Sequence, residues 1–379
     1  MKLMLVFGTR PEVIKLAPVV AEAQRRSDQL ELVVCSTGQH REMLDQALGV
    51  FGIHPDLDLA VMQANQTLAA LTARLLGALD AAMRQHSPDV VLVQGDTTSA
   101  FVAALAAFYL NIPVGHVEAG LRTGNLASPF PEELNRVLVA RIARWHFAPT
   151  PAAVSNLQAE GIGASQIYLT GNTVVDAIAC IRQRWGQAGT AATVKAADAI
   201  FPGRELVLVT AHRRENQGTV MRQICAAIRT LCVQHPELGF VFPVHLSPQV
   251  RAVVHEELAT GMANLLLTDP VDFEANLCLQ SRARLVITDS GGIQEEAPSF
   301  AVPTVVMREH TERMEGVTAG FATLAGTQTE AIVQAANAWL ADPDAKDRLS
   351  ARPNPYGDGM AAQRIISTIL GEPCGAFKP

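Results

Sequence analysis

What most limits the fold of this chain is a repeated alternation. Short runs of β-branched and other apolar residues are each followed by a longer segment whose apolar residues keep helical spacing. Parallel strands joined by crossover helices produce this pattern, and strands apolar on both faces belong to sheets covered on both sides. A first series of expected strands covers 3–8, 30–36, 90–94, 114–117, 146–148 and 167–170. A second covers 206–210, 240–244, 265–268, 285–288 and 304–307. Two series imply two doubly wound α/β domains. The chain between them loses strand character and gathers small residues, so the division is placed within 171–190, giving domains over 1–172 and 173–360. Apolar residues at Ala362, Ile365, Ile366 and Ile369 mark a final amphipathic helix within 361–379, expected to return to the first domain. Sheets of this kind bind ligands beyond the carboxyl ends of their strands, and the two edges are expected to face one cleft.

Composition narrows the class. Apolar residues are 49% and charged residues 18% of the 379, which excludes a disordered or fibrous chain. The net charge of −7 and the lack of a basic run exclude a nucleic-acid partner from the expectations. No segment approaches the ~18 uninterrupted apolar residues of a membrane span, and the N-terminal run is too short for a signal-peptide core. A cytoplasmic protein without membrane insertion is expected. Cys35, Cys180, Cys225, Cys232, Cys278 and Cys374 lack metal-ligand spacing and read as reduced thiols.

Several segments carry chemistry. FGTRPEVIK leads from a strand into a helix with Arg10 and Lys15 near its positive end, which favours a bound anion or else a solvated first turn. TDSGGIQEE repeats the design: Gly291 and Gly292 after Ser290 let backbone amides approach a ligand, and Glu295 or Glu296 can accept from ribose hydroxyls or cap the helix. Asp96, Glu118, Glu132 and Glu133 gather at strand ends with Arg122 and Arg136 as candidate counter-charges, a crowding suited to acid/base work. His212, followed by Arg213, and His245 lie just past strands of the second series, where a histidine can bind phosphate or move a proton. His116, in mid-strand, reads as core.

Taken together, FGTRPEVIKLAP, TGQHREMLDQ, GDTTSAFVAALAAFY, IPVGHVEAGLRTGN, SPFPEELNR, HFAPT, TGNTVVDA, VTAHRREN, PVHLSP, TDSGGIQEEAPS, MREHTERMEGV and NPYGDG resemble the non-hydrolysing UDP-N-acetylglucosamine 2-epimerases along nearly the whole chain. The resemblance implies a GT-B-like pair of Rossmann-like domains, a homodimer, and a role in supplying precursor for surface polysaccharide. It implies catalytic roles for Asp96, Glu118, Glu132, His212, Lys15 and Arg136. UDP-sugar binding falls to Arg10, Lys15, His212, Asn276, Ser290, Gly291, Gly292, Glu296 and Arg313. The chemistry agrees. The C2 hydrogen of a UDP-N-acetylhexosamine has no adjacent carbonyl to acidify it, so departure of UDP must come first or nearly so, leaving a 2-acetamidoglucal after proton loss. Neither a redox cofactor nor a metal is required.

The chain departs from the family pattern in places that bear on specificity. Asn276 stands where a Phe is common and Phe273 where a Tyr is usual, while His310 and Met314 replace Thr and Pro, which leaves a modified UDP-N-acetylhexosamine as an alternative substrate. The family's activator site maps to Gln39, Glu42, Asn65, His212 and Arg213. Glu42 replaces a Gln and Asn65 an Arg, so weak activator control is expected. Rival readings are a glycosyltransferase of the same architecture, an idle nucleotide-sugar sensor, and a hydrolysing epimerase, whose fused kinase domain is not in this sequence.

Overall fold

In both halves of the chain the central strands are buried at all but one residue or fewer, as crossover-covered parallel strands must be. β1 (Lys2–Phe7) and β4 (Val90–Gln94) show it in the first half, β8 (Leu206–Thr210) and β11 (Ala283–Thr288) in the second. The structure, a computed structural model, describes residues 1–379 except 39–40, 64–65, 186–191, 214–215, 217 and 260; the side chains of 41–43 and 192 also lie outside the description. Together with β2 (Glu31–Ser36), β3 (Leu57–Asp58), β5 (Val114–Val117), β6 (Trp145–Ala148) and β7 (Ile167–Leu169), the first half forms a seven-stranded parallel sheet in the order β3-β2-β1-β4-β5-β6-β7. β9 (Gly239–Pro243), β10 (Leu265–Thr268), β12 (Thr304–Val306) and β13 (Ala322–Leu324) complete a six-stranded parallel sheet in the order β10-β9-β8-β11-β12-β13. The two parallel-sheet domains expected from the sequence are present, and β3 and β13 are additions at sheet edges.

Each sheet has one place where strand order reverses, between β1 and β4 in the first and between β8 and β11 in the second. Chains leaving the two strands there depart to opposite faces and open a crevice at the carboxyl edge. The core of the first sheet includes Val6, Leu75, Leu79, Val93 and Ala103, and that of the second Ile224, Ile228, Phe240, Phe242 and Ile287.

The chain divides into two compact units, Met1–Cys180 with Tyr356–Pro379, and Ile181–Pro355. The observed division falls at 180/181 and 355/356, later than the expected 172/173 and earlier than the expected 360/361. The helix Thr173–Arg182 stays with the first unit over most of its length because Asp176 accepts the backbone N–H of Ala362 at 2.9 Å, and Asn172 N–H donates to Tyr356 O at 2.7 Å. The last helix, Ala361–Ile369, belongs to the first unit, where Arg26 bonds Ser367 and Glu372 at 3.2 and 2.6 Å.

Candidate active site

The carboxylates singled out in the sequence stand at the carboxyl edge of the first sheet. β4 ends in Gln94, and a left-handed Gly95 (φ +70°) turns the chain so that Asp96 precedes the helix Thr98–Tyr109. The helix Glu132–Ile142 fixes Asp96 twice: Asn135 Nδ2 donates to its carbonyl at 2.9 Å, and the Arg136 guanidinium pairs with its carboxylate. β5 ends in Val117, register partner of Gln94, and Glu118 follows with φ +65°. A left-handed backbone is strained for a side-chain-bearing residue and persists where surroundings impose it. Here Lys15 Nζ and Gln94 Nε2 both bind the Glu118 carboxylate.

Glu132 and Glu133 open the same helix and behave differently. Glu133 is buried, accepts the N–H groups of Thr123 and Gly124 at 3.0 Å each, and lies 3.2 Å from Arg136 Nη1. Glu132 is half-buried and engages no hydrogen bond or ion pair among the described residues. Arg122 is not a counter-charge to this cluster. It pairs with Glu160 at 2.5 and 3.0 Å, because the turn after β5 carries it toward the helix Pro151–Ala159.

The anion at the start of the helix Arg10–Arg25 is the chain's own. Glu12 Oε2 accepts from Gly8 N and Thr9 N at 2.9 and 2.7 Å, and its Oε1 accepts from Thr97 Oγ1 at 2.6 Å, across the β1–β4 reversal. Burial pushes the Glu12 carboxyl upward, against the lowering effect of these bonds. A Thr-x-x-Glu capping box spelled this out in the sequence. Arg10, half-buried, joins no ion pair among the described residues. His116 is core, with Nε2 2.7 Å from Gly95 O.

The second unit concentrates polar groups at its own reversal. β11 delivers Asp289, fully buried, whose carboxylate accepts from His212 N at 2.9 Å, Arg213 N at 2.9 Å and Asn216 Nδ2 at 3.0 Å, and lies 3.1 Å from His212 Nδ1. Burial would raise the Asp289 carboxyl, but the His212 ring and these amides outweigh it and hold it below its ordinary value. The His212 ring stacks on His245 at 6.0 Å.

Ser290 then caps the short helix Gly291–Glu296, whose first amides have no preceding carbonyl to bind. Arg313 packs over this turn. A Cβ on Gly291 would stand 2.9 Å from Arg313 Cζ, so a side chain there would push the guanidinium from its place. Arg313 Nε bonds Glu295 at 3.0 Å, and its Nη1 pairs with Glu312. Burial would raise the Glu312 carboxyl; Arg313 and Arg308 prevail and bring it to about 2. Thr311 Oγ1 donates to Gln294 at 2.8 Å and ties this loop to the Ser290 turn through Gln294 Nε2, 3.1 Å from Ser290 O. Glu296 accepts from Gln280 Nε2 at 2.6 Å. Asn276, on the helix Phe273–Arg282, is half-buried, and His310 and Met314 are exposed. Of the activator positions, Gln39 and Asn65 and the side chain of Glu42 lie outside the described residues.

The structure therefore groups Lys15, Asp96, Glu118, Glu132 and Arg136 in the first unit, and His212, Ser290, Gly291, Gly292, Glu296 and Arg313 in the second. Sequence reasoning missed Glu12 and Gln94 as parts of these groups, and the hold of Asp289 on the loop bearing His212. Chemically, the first can exchange protons and the second can hold an anion. Among the described residues no group of three or more His, Cys, Asp or Glu side chains could hold a metal ion, and no helix is long and apolar enough to cross a membrane.

Comparison with known proteins gives the family. The family model described as UDP-N-acetylglucosamine 2-epimerase matches residues 22–370. The chain is 47% identical over 371 residues to the probable UDP-N-acetylglucosamine 2-epimerase of Ralstonia solanacearum, covering 97% of this chain and 98% of that one. It is 46% identical to the UDP-N-acetylglucosamine 2-epimerase of Escherichia coli O157:H7 with the same coverage. The crystal structure of the Neisseria meningitidis UDP-GlcNAc 2-epimerase bound to UDP-GlcNAc superposes with a TM-score of 0.89 at 42% identity, covering 98% of this chain and 100% of that one. The fold, the grouped residues and a match over nearly the full length place this chain in the UDP-N-acetylglucosamine 2-epimerase family.

Proposed function

We propose that this protein interconverts UDP-N-acetylglucosamine and UDP-N-acetylmannosamine by inverting C2. One observation carries the reading: in a cluster where Asp96 and Glu118 are each pinned by a cation, Glu132 keeps a carboxylate with no partner among the described residues. Inversion without turning the sugar over requires proton removal on one face and delivery on the other, hence more than one acid/base group.

The reaction begins with cleavage of the C1–O bond, whose electron pair leaves with UDP. His212, Arg313 and the amides of the Ser290–Gly292 turn stabilise the charge developing on the diphosphate. The positive character at C1 acidifies the C2 hydrogen, a carboxylate takes that proton, and 2-acetamidoglucal forms. A second carboxylate delivers a proton to the opposite face, and UDP adds back to C1. Lys15 and Arg136 hold Glu118 and Asp96 in place, and Asn276 and Glu296 belong to the nucleoside end.

The finer parts of the reading are a homodimer, a cytoplasmic location, and supply of precursor for surface polysaccharide. Phe108 and Tyr109, 58% and 61% exposed, offer apolar surface for a second copy, and all six cysteines are free thiols. Light scattering tests the dimer. Incubation with UDP-N-acetylglucosamine in deuterated water, followed by proton NMR, tests the chemistry: deuterium at C2 in both epimers with UDP attached supports it, and retained hydrogen during turnover overturns it.

A further inference from the structure

The carboxylate at the reversal of the second sheet has a task that the reaction scheme leaves unassigned. Asp289 is fully buried, and no lysine or arginine pairs with it among the described residues. It faces instead the loop after β8. Two backbone N–H groups, the Asn216 amide and the His212 ring converge on its two oxygens at 2.9 to 3.1 Å. Asn216 Nδ2 also lies 3.3 Å from Met307 O, which anchors the loop to the end of β12.

An ionised carboxylate only accepts, so the atom of His212 that faces it must carry hydrogen. That atom is Nδ1. The stacked His245 is set the other way, because its Nδ1 lies 3.1 Å from the backbone N–H of Ser247 and accepts from it. The His212 side chain is 43% exposed while its Nδ1 edge sits on a buried group, so the opposite edge, with Nε2, is the one open to a ligand.

We infer that Asp289 is a positioning residue that fixes the tautomer and direction of His212, so that Nε2 is the atom offered to the diphosphate of the nucleotide sugar. The inference rests on the epimerase reading above. An amide in place of the carboxylate brings an NH2 to the ring and turns the imidazole into the other tautomer, with little change in volume. A carboxylate that served only to knit the loop together would leave the ring indifferent to that exchange.

The experiment uses the full-length protein labelled with 15N in its histidine rings and long-range proton–nitrogen correlation near pH 8, with His212→Asn identifying the signals. The expected wild-type spectrum shows hydrogen on Nδ1 of His212 and none on Nε2; hydrogen on Nε2 alone overturns the inference. In Asp289→Asn the hydrogen should move to Nε2, kcat should fall about 10²-fold or more, and KM should change by less than about threefold. Adding Asp289→Asn to His212→Asn should cost less than about threefold more, because the two act as one device. An Asp289→Asn protein with unchanged tautomer and turnover, or full multiplicative losses in the double variant, would also overturn it. Should Asp289→Asn fail to fold, the wild-type tautomer alone decides. Absence of epimerisation in the wild type would sink the functional reading while leaving the tautomer measurement intact.

Discussion

The ammonium of Lys15 and the carboxylate of Glu118 form an ion pair between side chains only 13% and 9% exposed. Lys15 projects from a regular helix, whereas Glu118 sits on a left-handed backbone that glycine would occupy at less cost. Removing one partner strands a charge in a mostly dry site. Lys15→Met should cost about 3 kcal/mol in urea unfolding and about 10² in turnover. Combining it with Glu118→Gln should restore much of the stability and none of the turnover; a double variant as unstable as the sum of the singles would contradict the pairing.

The neighbouring acids Glu132 and Glu133 should separate cleanly. Glu132→Gln should lower turnover about 10²-fold and shift unfolding by less than ~0.5 kcal/mol, since the side chain holds nothing in place. Glu133→Ala should cost about 1–3 kcal/mol, because it empties a buried site, removes the acceptor of the Thr123 and Gly124 amides and leaves Arg136 with Asp96 alone. Burial of Glu133 makes it the larger contributor to stability of the two. Paired calorimetry and kinetics on the two variants decide the matter.

Acid should weaken the fold through two histidines. Burial holds the His116 ring down to about 3 and the His146 ring down to about 4, against an ordinary value near 6.5. A depressed group gives stability that is present above its unfolded value and lost as pH falls toward the folded one. Each therefore removes about 1.4 kcal/mol per pH unit between roughly pH 6.5 and 4. Asp176 has the opposite sign: burial raises it to about 6, so its contribution is complete below about 3.8 and is lost as pH rises through 6. The stability difference between wild type and His146→Phe should shrink with falling pH, and Asp176→Asn should gain on wild type from pH 4 to pH 7. Parallel lines in urea titrations across that range would refute both assignments.

Gly291→Ala probes the turn proposed to hold the diphosphate. Its new methyl would displace the Arg313 guanidinium while leaving Ser290 and Gly292 unchanged. UDP affinity measured by calorimetry should drop about tenfold, the scale of one weakened charged hydrogen bond. Undiminished affinity would remove Arg313 from the diphosphate site.

Fully buried apolar strands were readable because burial on both faces leaves nothing polar to interrupt them, and β4 lies where the sequence placed it. β3 and β13, of two and three residues, were not, since edge pairing at Cys35↔Leu57 or Val305↔Thr323 depends on a neighbour far away in sequence. Asp96, Glu118 and His212 announced themselves as polar residues ending apolar runs. What the sequence hid was partnership. Arg122 looked like a counter-charge and turned to Glu160, and Asp289, read as part of a glycine turn, holds the loop bearing His212. Such choices depend on which way a strand end turns, and a linear string records no direction.

The helix Ala361–Ile369 rests on the helix Arg10–Arg25, and its first turn is held by Asp176. During synthesis, a ribosome that has made every strand of the first sheet must still make the whole second unit before this helix emerges. The carboxylates proposed to move protons thus belong to a unit whose last helix arrives last, and the second unit can finish folding while the first is still waiting.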